Sequence, residues 1–183
     1  MKIDTNTGWL SGVRRVDSPN CDERPSGTVL DLIVVHGISL PPGQFGGSSI
    51  EDLFTNTLNS SDHPYFKKIN ALRVSSHVLI SRIGEVTQYV PFDKRAWHAG
   101  DSCYKARAGC NNFSVGIELE GTDDSSYELI QYKQLAELVS VLRQTYPSLQ
   151  DAEIVGHSDI APGRKTDPGD CFDWDLLRRL LER

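Results

Sequence analysis

The run Leu30-Asp31-Leu32-Ile33-Val34-Val35 constrains the fold more than any other stretch of the chain. A strand with water on one side alternates apolar and polar residues. This one is apolar at nearly every position and rich in β-branched residues, the pattern of a strand buried on both faces. Such a strand demands a sheet with further layers packed above and below it. It ends at His36 and Gly37, and the chain then opens into a long loop marked by Pro41-Pro42-Gly43 and Gly46-Gly47. A side chain at the end of a buried strand is held rigidly at the sheet edge, where active-site groups are often found.

The remaining periodicities supply what packs on that strand. Residues Val74 to Ser81 and Glu85 to Val90 read as two strands joined by a hairpin turn at Arg82-Ile83-Gly84. Ser114 to Glu120 alternates, with Val115, Ile117 and Leu119 on one face and Ser114, Gly116, Glu118 and Glu120 on the other. Ser49 leads a helical pattern through Ile50, Leu53, Phe54 and Leu58, with Asp52 where the helix dipole favours it. The longest predicted helix runs from Tyr127 to Thr145, its stripe formed by Tyr132, Leu135, Leu138, Val139, Leu142 and Tyr146, and Pro147 stops it. Glu153 to Gly156 is a short strand that delivers His157. A last helix begins at the cap Asp173 and carries Trp174, Leu177, Leu180 and Leu181. Strands and helices mix without strict alternation, so the expected class is α/β of the mixed α+β kind: a central mixed sheet flanked by helices. At 183 residues, with no repeat and no linker, residues 1–183 form one expected domain.

Charge and composition exclude several function classes. The net charge of −6 leaves no basic stripe for nucleic acid and no polybasic segment for an anionic membrane. No apolar run is long enough to span a bilayer, and the first ten residues lack the apolar core of a signal peptide. Cys21, Cys103, Cys110 and Cys171 form no C-x-x-C pair, and without an export signal they are expected to be free thiols in a cytoplasmic protein.

The chemistry concentrates in Gly156-His157-Ser158-Asp159-Ile160-Ala161-Pro162-Gly163-Arg164-Lys165-Thr166-Asp167-Pro168-Gly169. A loop this rich in turn residues holds its shape without titratable groups, so an imidazole, an ammonium and a carboxylate ask for a chemical reason. Alone, Asp167-Pro168-Gly169 is an ordinary turn and His36 an ordinary hydrogen-bonded strand-end residue. Together, His36, His157 and Asp167 make a two-histidine, one-carboxylate set, the ligand type of catalytic zinc with an open fourth position. Glu118 stands on the polar face of its strand, either as a solvated edge charge or beside Glu120 in a shared cleft, which would raise the pKa of one of the two. Lys165 precedes Asp167 by two, so an extended segment projects both to one side, where a lysine serves an oxyanion or simply faces solvent. His77 is expected inside a strand, facing the cleft or backing a ligand, and His63 in its loop has no assigned role.

These residues lie within longer strings that resemble the zinc-dependent N-acetylmuramoyl-L-alanine amidase family. The strings are Leu32-Ile33-Val34-Val35-His36, Ile38-Ser39-Leu40-Pro41-Pro42-Gly43, Phe45-Gly46-Gly47 and Leu72-Arg73-Val74-Ser75. They continue with residues 88–100, around Ala96-Trp97-His98-Ala99-Gly100, residues 113–122, Gly156-His157, Ile160-Ala161-Pro162, residues 164–169 and Phe172-Asp173-Trp174. They follow in order along nearly the whole chain. The resemblance implies a peptidoglycan-recognition-protein-like fold with zinc in an open groove. The family's ligands then fall on His36, His157 and Asp167, its acid/base glutamate on Glu118 and its lysine on Lys165. Arg73, Trp97 and His98 match stretches that line the substrate groove.

The implied activity is hydrolysis of the amide between (1,6-anhydro-)N-acetylmuramic acid and L-alanine of a muropeptide, in cytoplasmic cell-wall recycling by a monomer. Two departures stand out. Gly37 occupies a position where the family carries Asn, which removes a hydrogen-bonding side chain near the substrate, and Gly163 replaces a familiar Glu, which loosens the loop. The rivals are a non-catalytic binding module on the same fold and a cysteine hydrolase. The complete set of three ligands plus Glu118 argues against the first. The second lacks a cysteine at a strand-to-helix elbow beside a histidine.

Overall fold

In a computed structural model, which describes residues 1–182, the doubly buried run lies inside a six-stranded sheet. Its strands are β1 (Arg14–Arg15), β2 (Leu32–Ile38), β3 (Val78–Ile80), β4 (Val86–Gln88), β5 (Ser114–Glu120) and β6 (Glu153–Gly156). Their spatial order is β6-β2-β5-β3-β4-β1. Strands β6, β2, β5 and β3 run parallel to their neighbours, β3 pairs antiparallel with β4 through the expected hairpin, and β1 joins β4 in parallel. The sheet is therefore mixed, with helices packed on it, as the sequence leads one to expect.

The alternation within β2 divides the core. Ile33 and Val35 join Val115, Ile117 and Leu119 beneath the helix α3 (Leu129–Thr145), which buries Leu135, Leu138, Val139 and Leu142, and beneath α5 (Trp174–Leu181). Leu32 and Val34 point the other way, towards Ala99, Cys110, Phe113 and Ile160. Each fully buried leucine or isoleucine is worth about 1.5–3 kcal/mol, so the two clusters fix the strand's face on each side. A third cluster gathers around α1 (Ser49–Phe54) and α2 (Phe66–Ile69) at the far end of the sheet.

Four boundaries differ from the sequence reading. The strand expected from Val74 pairs regularly only over β3, because the preceding amides reach different neighbours: Ser75 N–H donates to Trp97 O and His77 N–H to Gly116 O. Regular pairing on the next strand is likewise confined to β4, short of Glu85 and Val90. Helix α1 stops at Phe54, with Asn56 at φ 64°, so Leu58 reaches the third cluster from a loop. Helix α3 starts at Leu129 rather than Tyr127, since Gln131 Oε1 accepts from Glu128 N at 2.9 Å and closes the helix start there.

Candidate active site

Register across the three parallel strands gathers the reactive groups. Glu118 in β5 sits opposite His36 in β2, and Gly156 in β6 sits opposite Val35, so His157 reaches the level of His36. Three groups from distant parts of the chain thus stand side by side at the carboxyl ends of parallel strands, the general location of ligand sites in such sheets. Residues from His157 begin not as a loop but as one helical turn, α4 (His157–Ile160), started by the Asp159 carboxylate accepting from Gly156 N at 2.7 Å. The chain then folds back so that Ser158 N–H donates to Asp167 O at 2.9 Å, which brings the Asp167 side chain beside His157.

The outcome is a tight triangle of donor atoms. His36 Nδ1 lies 2.9 Å from His157 Nδ1, His157 Nδ1 lies 3.1 Å from Asp167 Oδ2, and His36 Nδ1 lies 3.4 Å from the same oxygen. Ligands about 2.0–2.1 Å from a tetrahedral zinc are about 3.3–3.4 Å apart, so one edge of the triangle matches a face of such a shell and the other two are a few tenths of an ångström tighter. Both histidines are buried. His157 Nε2 lies 3.2 Å from Ala99 O, so a proton on that nitrogen leaves Nδ1 bare. These donors fit a zinc ion.

Electrostatics prepare the same groups. Burial holds the His36 imidazole down at about 4, against the pull of Asp167. Burial also works to raise the Asp167 carboxyl, but its close pairing with the His157 and His36 rings outweighs it and keeps the group well below the usual carboxylate range. Glu118 moves the opposite way: burial, then the negative charge of Asp167, pushes it well above its ordinary value, and Lys165 opposes the rise. One of its oxygens, Oε2, is enclosed without any hydrogen-bond partner. Glu120 is not the cause. Its carboxylate accepts from the backbone amides of Gly46 and Arg82, so it anchors the glycine-rich loop instead.

Glu118, Lys165, His98, His157 and Asp167 line one groove of about 610 Å³, with an apolar wall that includes Leu40, Phe54 and Val74. Neither Arg73 nor Trp97 is part of that lining. Arg73 turns back onto the carbonyls of Asn70 and Leu72, and Trp97 donates its indole N–H to Asp22 at 3.1 Å. His98 lies at the groove floor, its ring against His36. His77 is fully buried and stays out of the groove, where its Nδ1 accepts from Gly116 N at 3.0 Å.

The sequence reading missed Tyr127, whose hydroxyl donates to Pro168 O at 2.9 Å beside Asp167. A Cβ on Gly37 would stand 2.3 Å from that hydroxyl. The glycine there makes room for Tyr127 rather than merely withdrawing a side chain from the substrate. Gly163 has φ +77°, a left-handed conformation that costs glycine nothing, so it suits the turn rather than loosening it. The signals for both were present in the glycines, but nothing local announces what fills the space a glycine leaves.

Comparison with known proteins agrees with this geometry. The model of the N-acetylmuramoyl-L-alanine amidase family matches residues 26–170. The chain is 56% identical over 176 residues to the 1,6-anhydro-N-acetylmuramyl-L-alanine amidase AmpD of Escherichia coli K12, covering 96% of each. It superposes on the crystal structure of a selenomethionine AmpD derivative with a TM-score of 0.95 at 55% identity, covering 99% of both chains. AmpDh3 from Pseudomonas aeruginosa, solved in complex with an anhydromuramic pentapeptide, matches with a TM-score of 0.64 at 26% identity over 98% of this chain and 66% of that one. A sheet that sets two histidines and a glutamate side by side, and a match that spans most of the sequence, lead to one assignment: the chain belongs to the N-acetylmuramoyl-L-alanine amidase family.

Proposed function

We propose that this protein is a zinc-dependent amidase that cleaves the amide between 1,6-anhydro-N-acetylmuramic acid and L-alanine in muropeptides, as part of cytoplasmic peptidoglycan recycling. The observation that carries the reading is the triangle of His36 Nδ1, His157 Nδ1 and Asp167 Oδ2, opening into the groove that also holds the unpartnered Glu118 oxygen. The high identity to AmpD, and the anhydromuramic pentapeptide bound by AmpDh3, support the substrate class.

His36, His157 and Asp167 would hold the zinc. When bound there, zinc supplies Lewis acidity towards the scissile carbonyl and lowers the pKa of water towards neutrality. Glu118 takes the proton of the attacking water on its free carboxylate oxygen and passes it to the leaving amine of L-alanine. Its raised pKa brings its proton affinity closer to the working pH, which suits a group that must both accept and return a proton. Lys165, exposed at the groove rim, offers its ammonium to the oxygen that gains charge as the carbonyl becomes tetrahedral. The apolar wall excludes water from one side of the substrate.

The test combines metal analysis with two substrates. Purified protein is expected to hold one zinc, to lose activity with a chelator and to regain it with zinc. It is expected to release the peptide from an anhydro-muropeptide faster than from intact sacculi. Full activity after complete zinc removal would sink the metal reading, and activity on sacculi alone would sink the recycling reading.

A further inference from the structure

His36 directs Nδ1 to His157 and Asp167, which leaves Nε2 pointing into the protein. There it lies 2.9 Å from Nδ1 of His98, with the two rings nearly perpendicular. The other His98 nitrogen, Nε2, lies 3.1 Å from Ser114 Oγ, and the Ser114 hydroxyl donates to Cys110 O at 2.6 Å. The direction of this chain follows from its far end. A carbonyl oxygen only accepts, so the serine proton points to Cys110 and the serine oxygen accepts from His98 Nε2–H. His98 Nδ1 is then bare and accepts from His36 Nε2–H, which leaves the lone pair of His36 Nδ1 facing the other two donors. Burial holds both imidazoles below their ordinary pKa, and a neutral ring is the form that donates from one nitrogen and accepts at the other.

The His98 ring is also held by its surroundings. Its own amide and that of Ala99 both donate to Asn111 Oδ1, at 3.0 and 2.7 Å. A Cβ on Gly116 would lie 2.3 Å from His98 Cγ, so the ring fills the space that this strand glycine leaves. Both ring nitrogens are engaged within the protein, and neither remains for a ligand.

We propose that His98 is a positioning residue: its Nδ1 is the acceptor that fixes the His36 tautomer with a bare Nδ1, and it thereby sets the zinc affinity of the His36, His157 and Asp167 set. The affinity part rests on the zinc reading above, whereas the tautomer part concerns the metal-free protein. Partners of this kind behind metal-binding histidines are typically worth about 10–100-fold in metal affinity or activity.

The experiment measures zinc affinity by chelator competition in native protein, His98→Leu, His98→Asn and Ser114→Ala, alongside ¹⁵N chemical shifts of His36 without metal. Native His36 is expected to be protonated at Nε2. His98→Leu is expected to lose about 10–100-fold in zinc affinity and to mix the His36 tautomers. His98→Asn, which returns an acceptor near the place of Nδ1, is expected to recover most of both. Ser114→Ala, which removes only the far end of the chain, is expected to lose less. Native zinc affinity and an unchanged tautomer in His98→Leu would overturn the proposal. So would a raised KM with unaltered zinc affinity, the mark of a substrate contact. If His98→Leu does not fold, the ¹⁵N shifts of the native metal-free protein decide, because a His36 proton on Nδ1 instead of Nε2 overturns the proposal. If the native protein binds no zinc, the proposed function fails, while a His36 tautomer that depends on His98 still upholds the positioning role.

Discussion

Glu118 holds an enclosed carboxylate oxygen with no partner, an arrangement that costs about 1–3 kcal/mol or more for a charged group. A chain tolerates that cost where the group has a reaction to perform. Glu118→Gln is expected to keep its zinc and lose about 10²–10⁴-fold in kcat; unchanged turnover with zinc bound would remove Glu118 from the mechanism. Because burial and Asp167 raise its pKa, the Glu118 carboxyl of chelator-treated protein is expected to titrate above the ordinary carboxyl range, as followed by its ¹³C chemical shift. A Glu118 titration near 4 in the metal-free protein would contradict the electrostatic account. At this scale the sequence was partly legible. Alternation in Ser114–Glu120 put Glu118 on the polar face, yet the strand is central rather than at an edge, and that face carries the His98 ring and the groove. The charge acting on Glu118 belongs to Asp167, far along the chain, and not to Glu120, because local spacing carries no information about where a distant loop returns.

Strands β6, β2 and β5 were legible as elements because each carries its own pattern, and their ends announced His36 and His157. Their register was not, and it is the register that sets His157, His36 and Glu118 at one level. Arg73 and Trp97, expected in the groove from resemblance alone, turn instead to carbonyls and to Asp22. Tyr127 shows the reverse. It looked like the first residue of α3, but it leaves the helix to brace the loop that carries Asp167, with Gly37 and Gly121 clearing space for it. Tyr127→Phe keeps the ring and removes the only change of consequence, the donor to a buried carbonyl. It is expected to cost about 1–2 kcal/mol in urea unfolding of the metal-free protein. A loss below about 0.3 kcal/mol, within the spread of ordinary surface substitutions, would show that Pro168 O finds another donor and that the brace is dispensable.

Across the whole molecule, the fold keeps an unusual number of imidazoles dry. His36, His77 and His98 are all buried, and burial lowers their pKa to about 4 for His36, about 3 for His77 and well below 6.5 for His98. The unfolded chain takes up a proton on each near pH 6.5, whereas the folded chain resists until much lower pH. Between those limits the unfolded state binds more protons, so stability is fully present above pH 6.5 and is lost as pH falls towards 4. At pH 5 the loss approaches about 2 kcal/mol for His36 and for His77, and His98 acts in the same direction. Glu118 has the opposite sign, since its raised pKa favours the fold at low pH, but it is one group against three. Chelator-treated protein is therefore expected to lose several kcal/mol of unfolding free energy between pH 7 and pH 5. His77 tests the cause, because it stands away from the triangle, bonded to Gly116 N and Lys94 O. His77→Asn is expected to flatten the slope between pH 7 and 5 by about 2 kcal/mol, one ring's share, whatever its effect at neutral pH. An unaltered slope would mean that the acid sensitivity arises elsewhere than in the neutral histidines around β5.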